Sequence, residues 1–372
     1  MVNYVNDKDE MTMNIIKRLQ NQHSIIVYGA GKMAQLIYPC LKECNILVDC
    51  FVVSDGQNHK SKLNDIPVYN ISDINNENRD TLILICASII FWDEIKNTLN
   101  EKGYNNYILL TPELRRQLFA VYYEKYFNEK KVDYSTEIIN FSNFSILNPF
   151  SSSNNKNELA PMFSEFGDLI LPSIFNDYSL VMEGPYEYGQ VVLENTQEGV
   201  VFDCGANMGL FSCYAATKGY TSYCFEPTKS LGKILKKHSN LNNNLIIPCN
   251  YAISDKPGKV SFGISNYSSG ENSFVMQNGA TEFVEVNAIS VDEFVKINKL
   301  NRVDFIKADI EGAERQLIRG AVETLKKFSP MLAICTYHLP DDPQVIEDLI
   351  LKANPNYKIV HKWMKLYAYI EK

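Results

Sequence analysis

"VFDCGANMGLF", Val201–Phe211, decides the fold of the longer half of this chain. A β-branched and aromatic run reaches Asp203, passes through Gly205-Ala206-Asn207-Met208-Gly209, and continues as an apolar helical pattern. Glycines at such a point let the backbone turn sharply and approach a ligand, and the helix behind them offers unpaired N–H groups. The stretch is not the dinucleotide pattern G-x-G-x-x-G, because Asn207 stands where its second glycine would fall. A tight strand–helix turn without a ligand is the plain alternative.

Downstream, strand and helix patterns alternate: "TSYCFEP", "LGKILKKHSNL", "LIIPCNYAIS", "SVDEFVKIN", "RVDFIKADI", "ERQLIRGAVETLKKF", "MLAICTYH" and "PQVIEDLILKA". "KVSFGI" and "EFVEVNAIS" read as an inserted or edge hairpin, and "YKIVHKW" with "KLYAYIE" as a closing antiparallel pair. The series predicts an α/β domain with a doubly wound sheet of about seven strands. In such sheets ligands bind beyond the C-terminal strand ends, at the topological switch point. Polar residues gather at those ends. Glu226, about 20 residues after the glycine turn, is placed to accept from ribose hydroxyls, and its charge would repel a 2′-phosphate. Asp255 either touches an adenine amino group or shapes the turn before Pro257. Asp309, Glu311 and Glu314 crowd one strand end, which is tolerated when a cation, a basic partner or protonation relieves the repulsion. A helix dipole also favours acids there, which explains Glu311 and Glu314 better than Asp309. His338, at the last parallel strand end, suits a general base because an ordinary imidazole titrates near working pH.

A smaller unit precedes this one. "SIIVYG", "VDCFVVSD", "DTLILICAS" and "NYILLTP" read as four or so strands, with a helix over "KMAQLIYPCLKEC" kinked or broken near Pro39. Gly29-Ala30-Gly31 opens a G-x-G-x-x-A turn, and Asp55 ends the next strand where a ribose acceptor belongs. A nucleotide or nucleotide-sugar site is therefore chemically possible there. No second mononucleotide half follows before residue 111, which argues against a redox dinucleotide site. The predicted domains are 1–110 (Rossmann-like), 111–182 (a helical and loop connector, with a polar loop in "NPFSSSNNKNELAP") and 183–372. Tyr122, Tyr123, Tyr126 and Phe127 in the connector read as core aromatics rather than a sugar platform.

The chain has 372 residues, a net charge of −8 and nine cysteines without a CxxC pair. The charge argues mildly against a nucleic-acid surface. The cysteines read as buried thiols of a reducing, cytoplasmic compartment. The longest apolar run, "LILICASIIFW", falls short of the ~20 residues a membrane span needs.

Together, "GPYE", "VFDCGANMGLFS", "FEP", "NYAISD", "VDFIKADIEGAE" and "YHLPDD" resemble the FkbM-type family of S-adenosylmethionine-dependent methyltransferases, over residues 183–372. The resemblance implies a class I methyltransferase fold and O-methyl transfer to a sugar or glycan hydroxyl. It implies that Asp203, Gly205, Asn207 and Gly209 hold the methionine part of the cofactor, Glu226 its ribose and Asp255 its adenine side. Glu183, Tyr186 and Glu187 would close over the methionine end, and Asp309, Glu311 and His338 would face the acceptor. The N-terminal stretch resembles small Rossmann-like modules attached to sugar-modifying enzymes.

Methyl transfer requires the acceptor oxygen in line with the breaking bond, so positioning carries much of the work. The expectation is that His338 removes the hydroxyl proton, with Asp309 orienting the acceptor or the imidazole. A divalent metal on Asp309, with Glu311 as a further ligand, is the alternative. Two competing readings stand beside this one: an NAD-dependent sugar-modifying oxidoreductase using the Gly29–Ala34 turn, and a non-catalytic nucleotide-sugar binding or scaffold protein.

Overall fold

A computed structural model of the chain describes residues 7–74, 80–151, 162–264, 272–275 and 280–371. Most of the polar loop expected before Pro161 lies outside them. Two compact units emerge, one of residues 1–135 with 149–160 and one of 136–148 with 161–372. The stretch 111–182, expected as a separate connector, is thus shared between the units. Its long helix Pro112–Glu129 buries Leu114, Leu118, Phe119, Tyr122, Tyr123 and Phe127. Thr111 caps that helix by accepting from Leu114 N, and Pro112 suits the first turn, where no N–H partner is lost.

The first unit holds six strands: β1 (Ile25–Tyr28), β2 (Val48–Val53), β3 (Lys62–Leu63), β4 (Ile66–Asn70), β5 (Ile83–Ile85) and β6 (Tyr107–Leu109). Their order is β3-β4-β2-β1-β5-β6. All neighbours run parallel except the β3–β4 hairpin. The sequence patterns give about four strands. Of the two others, β3 has only two residues, and Pro67 hides β4, because proline is confined to strands near a sheet edge. The helix Lys32–Glu43 continues through Pro39.

In the second unit, after a short hairpin of β7 (Ile138–Asn140) and β8 (Ser145–Leu147), come β9 (Gly199–Cys204), β10 (Tyr220–Phe225) and β11 (Ile246–Cys249). These are followed by β12 (Ala252–Ile253), β13 (Gly258–Ile264), β14 (Glu282–Ile289), β15 (Phe305–Ala308), β16 (Met331–Cys335), β17 (Lys358–Lys362) and β18 (Lys365–Tyr369). The main sheet has seven strands in the order β11-β10-β9-β15-β16-β18-β17. Its first five are parallel, and β18 and β17 close it antiparallel. The expected edge hairpin forms a separate sheet of β12, β14 and β13. The chain from β9 goes out to β10 and β11, then returns across to β15. The switch point therefore falls between β9 and β15, the strands that end at Cys204 and Ala308.

Phe202, Phe225 and Phe294 pack edge to face between the sheet and the helix Val291–Ile297. Ser290 caps this helix, its hydroxyl accepting from Glu293 N at 3.2 Å. The stretch "ERQLIRGAVETLKKF", read as one helix, is two, Glu314–Arg319 and Val322–Lys327, divided at Gly320. A Cβ on Gly320 would stand 2.5 Å from Ser254 O, so close backbone packing fixes the break. All nine cysteines are buried and unpaired. Among the described residues no helix is long and apolar enough to cross a membrane.

Candidate active site

The glycine turn after β9 is built for close approach. Gly205 has φ +72°, and a Cβ there would lie 1.8 Å from Asp309 O. Only glycine lets the turn after β9 meet the turn after β15. Gly209 has φ +78° and caps the helix Leu210–Thr217, with Leu235 packed where its Cβ would stand. Asn207 also takes a left-handed φ of 47°, a conformation asparagine tolerates better than most residues. His238, which the sequence reading missed, braces this turn. Its buried ring accepts from Leu147 N at 2.9 Å and contacts Met208 O at 2.6 Å. Burial pushes its pKa down to about 4, so it serves as a neutral bracket.

A cleft opens at the switch point, lined by Glu165, Gly205, Asn207, Phe225, Glu226, Tyr251, Ile253, Phe262, Phe274, Asp309 and Glu311, among others. Of the expected cofactor residues, Gly205, Asn207 and Glu226 line it. Glu226 is buried, accepts from Thr228 N at 2.8 Å, and is pushed up to about 7 by burial. Asn207 Oδ1 and Glu165 Oε2 are buried without a hydrogen-bond partner among the described residues.

Three expectations need correction. Asp203 does not line the cleft. It is fully buried, accepts from Ser212 Oγ at 2.7 Å, and lies 3.1 Å from Lys307 Nζ. Lys307 in turn donates to Gly205 O at 2.6 Å. Asp203 therefore shapes the turn through Lys307, and Gly209 acts from behind as the helix cap. Asp255 is exposed and outside the cleft lining, because Ser254 N pairs with Ile289 O and turns the next residue outward. The wall there is Tyr251, Ala252 and Ile253 instead.

Asp309 sits between two phenols, its Oδ2 accepting from Tyr186 OH at 3.1 Å and its Oδ1 from Tyr337 OH at 3.2 Å. Tyr337 OH also lies 3.2 Å from Glu183 Oε2. Burial opposes ionisation of Asp309, but Lys307, Lys365 and His338 outweigh it and hold its pKa below the usual carboxylate range. Asp168, on the π-helix Phe166–Phe175, accepts from the backbone N–H groups of Met182, Glu183 and Gly184 and so fixes the segment that carries Glu183. Glu187 accepts from Tyr214 OH at 2.7 Å.

The third correction concerns His338. Its Nδ1 lies 3.2 Å from Glu314 Oε1, and its Nε2 3.3 Å from Glu311 Oε2 and 3.7 Å from Asp309 Oδ1. Burial disfavours the charged ring, yet its contacts with Glu311 and Glu314 and the charge of Asp309 raise its pKa to about 11. Contacts that favour the charged ring leave its lone pair less available to act as a base. The ring is the basic partner that relieves the acid cluster. Glu314 meanwhile accepts from Ile310 N and Gly312 N and holds the loop that carries Glu311. Burial pushes Glu311 up to about 7. Asp309, Glu314 and His338 also bring one ligand atom each within 4.8 Å of one another, close enough for a metal ion to join them.

In the first unit, a cavity of about 610 Å³ lies beyond β1, β2 and β5, lined by Gly29, Gly31, Lys32, Ser54, His59, Lys60 and Lys62 among others. Asp55 is not part of it. Its carboxylate accepts from Ser72 N and Ser72 Oγ and pairs with Lys102 at 3.1 Å, so it is not poised for a ribose.

Residues 203–370 match the family described as "Methyltransferase FkbM domain", and residues 21–110 match "C2185-like, N-terminal". The chain is 26% identical over 179 residues to the hexuronic acid methyltransferase AglP of Haloferax volcanii, covering 48% of this chain and 72% of that one. Among solved structures, the methyltransferase FkbM of Methylobacillus flagellatus KT is similar over 96% of this chain and 92% of its own, at 17% identity and a TM-score of 0.41. The fibrillarin of Aeropyrum pernix, solved with natively bound S-adenosyl-L-methionine, covers 48% of this chain and 68% of its own at 10% identity and a TM-score of 0.30. The domain match falls on the strands and turns that build the cleft, so residues 203–370 form a methyltransferase domain of the FkbM type.

Proposed function

We propose that this methyltransferase uses S-adenosylmethionine and transfers the methyl group to a sugar hydroxyl. One observation carries the reading. A single cleft at the switch point has a buried carboxylate, Glu226, beyond β10 and an acid pair, Asp309 and Glu311, beyond β15, with the Gly205–Asn207 turn between them. The residues suit a nucleoside: Phe225, Tyr251, Ile253 and Phe262 give apolar walls, and Glu226 accepts hydroxyl donors. The cleft is narrow, about 80 Å³, so its walls must part to admit one. The sugar acceptor is supported by the likeness to AglP, whose name describes action on a hexuronic acid.

Bound S-adenosylmethionine would supply a methyl group on a sulfonium, open to in-line attack by oxygen. The chain's own residues supply position and proton transfer. Glu311, poised near neutral pH, takes the acceptor's hydroxyl proton. Asp309, held ionised between Tyr186 and Tyr337, orients that hydroxyl. His338 keeps Glu311 in place as its positively charged neighbour. Transfer of labelled methyl from S-adenosylmethionine should be measured on acceptors ending in hexuronic acid or neutral hexose. Label on a sugar oxygen supports the reading; label only on a non-sugar acceptor rejects the substrate class.

A second ligand is proposed for the first unit, a nucleotide or nucleotide-sugar, on the strength of its cavity and the basic side chains Lys32, Lys60 and Lys62 around it. Calorimetric titration of the full chain with nucleoside diphosphates and their sugar esters tests it. Absence of heat with all of them would leave this unit as a scaffold.

A further inference from the structure

Glu165 closes the short helix Met162–Glu165 and lies upstream of the matched domain. It lines the cleft together with Gly205 and Asp309. The three other acids of the cleft have partners. Glu226 accepts from Thr228 N, Asp309 from two tyrosines, and Glu311 faces His338. Glu165 Oε2 is buried and has none among the described residues.

The charges acting on Glu165 are unbalanced. Asp203, Asp309 and Glu183 repel its carboxylate, and Lys307 attracts it. Lys307 is already committed to Asp203 and to Gly205 O. A buried carboxylate without a counter-ion is costly and stays protonated until a cation arrives. Burial accordingly pushes Glu165 up to about 8.

We infer that Glu165 receives the ammonium group at the amino-acid end of the cofactor. The inference rests on the reading that this cleft binds S-adenosylmethionine. Glu226 follows β10 and Tyr251 follows β11, whereas the charges that act on Glu165 are those of Asp203, Lys307, Asp309 and Glu183, on and around β9 and β15. As the ammonium arrives, the Glu165 carboxyl gives its proton to solvent and the resulting carboxylate pairs with the cation. The ammonium keeps its own protons, so the balance is one proton released per ligand bound.

The test uses the full chain and two compounds, S-adenosylhomocysteine and 5′-methylthioadenosine, which lacks the amino-acid end. Calorimetry at pH 7 in two buffers of different ionisation heat counts protons. The wild-type chain should release close to one more proton with S-adenosylhomocysteine than with methylthioadenosine. Equal release with both overturns the inference, and this comparison needs no variant. Glu165→Gln should bind S-adenosylhomocysteine at least about tenfold more weakly, lose the extra proton, and bind methylthioadenosine as before. Unchanged affinity for S-adenosylhomocysteine, or equal weakening of both ligands, also overturns it. A wild-type chain that binds neither compound would instead sink the cofactor reading, and this assignment with it.

Discussion

Lys307 and Asp203 stand opposite one another on the adjacent parallel strands β15 and β9, 1% and 0% exposed, with Nζ 3.1 Å from Oδ1. This buried pair, rather than a ligand, accounts for the acid that ends the first strand of the domain. Removing one partner leaves an uncompensated charge, a loss of about 3–5 kcal/mol. Lys307→Met should therefore lower unfolding stability by that order in denaturant titration. Lys307→Met combined with Asp203→Asn should recover part of it. A single variant as stable as the wild type would show that the pair is not buried as described.

Glu226→Gln tests the nucleoside end of the cleft. Loss of charge-assisted hydrogen bonds should weaken S-adenosylhomocysteine binding by about 1.5–3 kcal/mol, roughly 10- to 150-fold. Because burial raises Glu226 to about 7, the carboxylate form is lost as pH falls through that value. Wild-type affinity measured by calorimetry should drop from pH 8 to pH 6, and the variant should lose this component.

His338 makes a stability prediction with a definite sign. Its folded pKa of about 11 exceeds the ordinary imidazole value of about 6.5. Its contribution is full below about pH 6.5 and is lost as pH rises toward 11. Denaturant unfolding of the wild type and His338→Gln between pH 6 and 10 should therefore converge as pH rises. Curves that stay parallel would show that the ring is not held as the imidazolium.

Glu311 as proton acceptor predicts that Glu311→Gln lowers kcat by about 10²–10⁴-fold while S-adenosylhomocysteine affinity stays close to wild type. The wild-type rate should fall as pH drops through about 7. A variant that turns over as the wild type does would return the base to another group.

Gly205→Ala places a Cβ against the Asp309 carbonyl and forces the turns after β9 and β15 apart. Thermal unfolding should shift down, and S-adenosylhomocysteine binding should fall with it. A variant of wild-type stability and affinity would contradict that close approach.

Much of this was legible because short-range rules govern it. Alternating apolar runs placed the strands of the second unit, and the helical pattern in "SVDEFVKIN" forms as the helix Val291–Ile297. The misreadings share one cause. Gly320 splits a helix because Ser254 from a distant turn presses on it. Asp203, Asp255 and Asp55 all have the residue type their expected roles need, but each one's role depends on neighbours far away in sequence.

The sequence by itself determined the α/β class, the switch-point turn and the set of acids at the strand ends, since periodicity and glycine placement are local properties. Only the tertiary structure decided what those acids do. It brought Lys307 to Asp203, left Glu165 Oε2 without a hydrogen-bond partner among the described residues, and set His338 among Glu311, Glu314 and Asp309. Charge and protonation follow from distances between residues far apart in the chain, and burial sets how strongly those distances count.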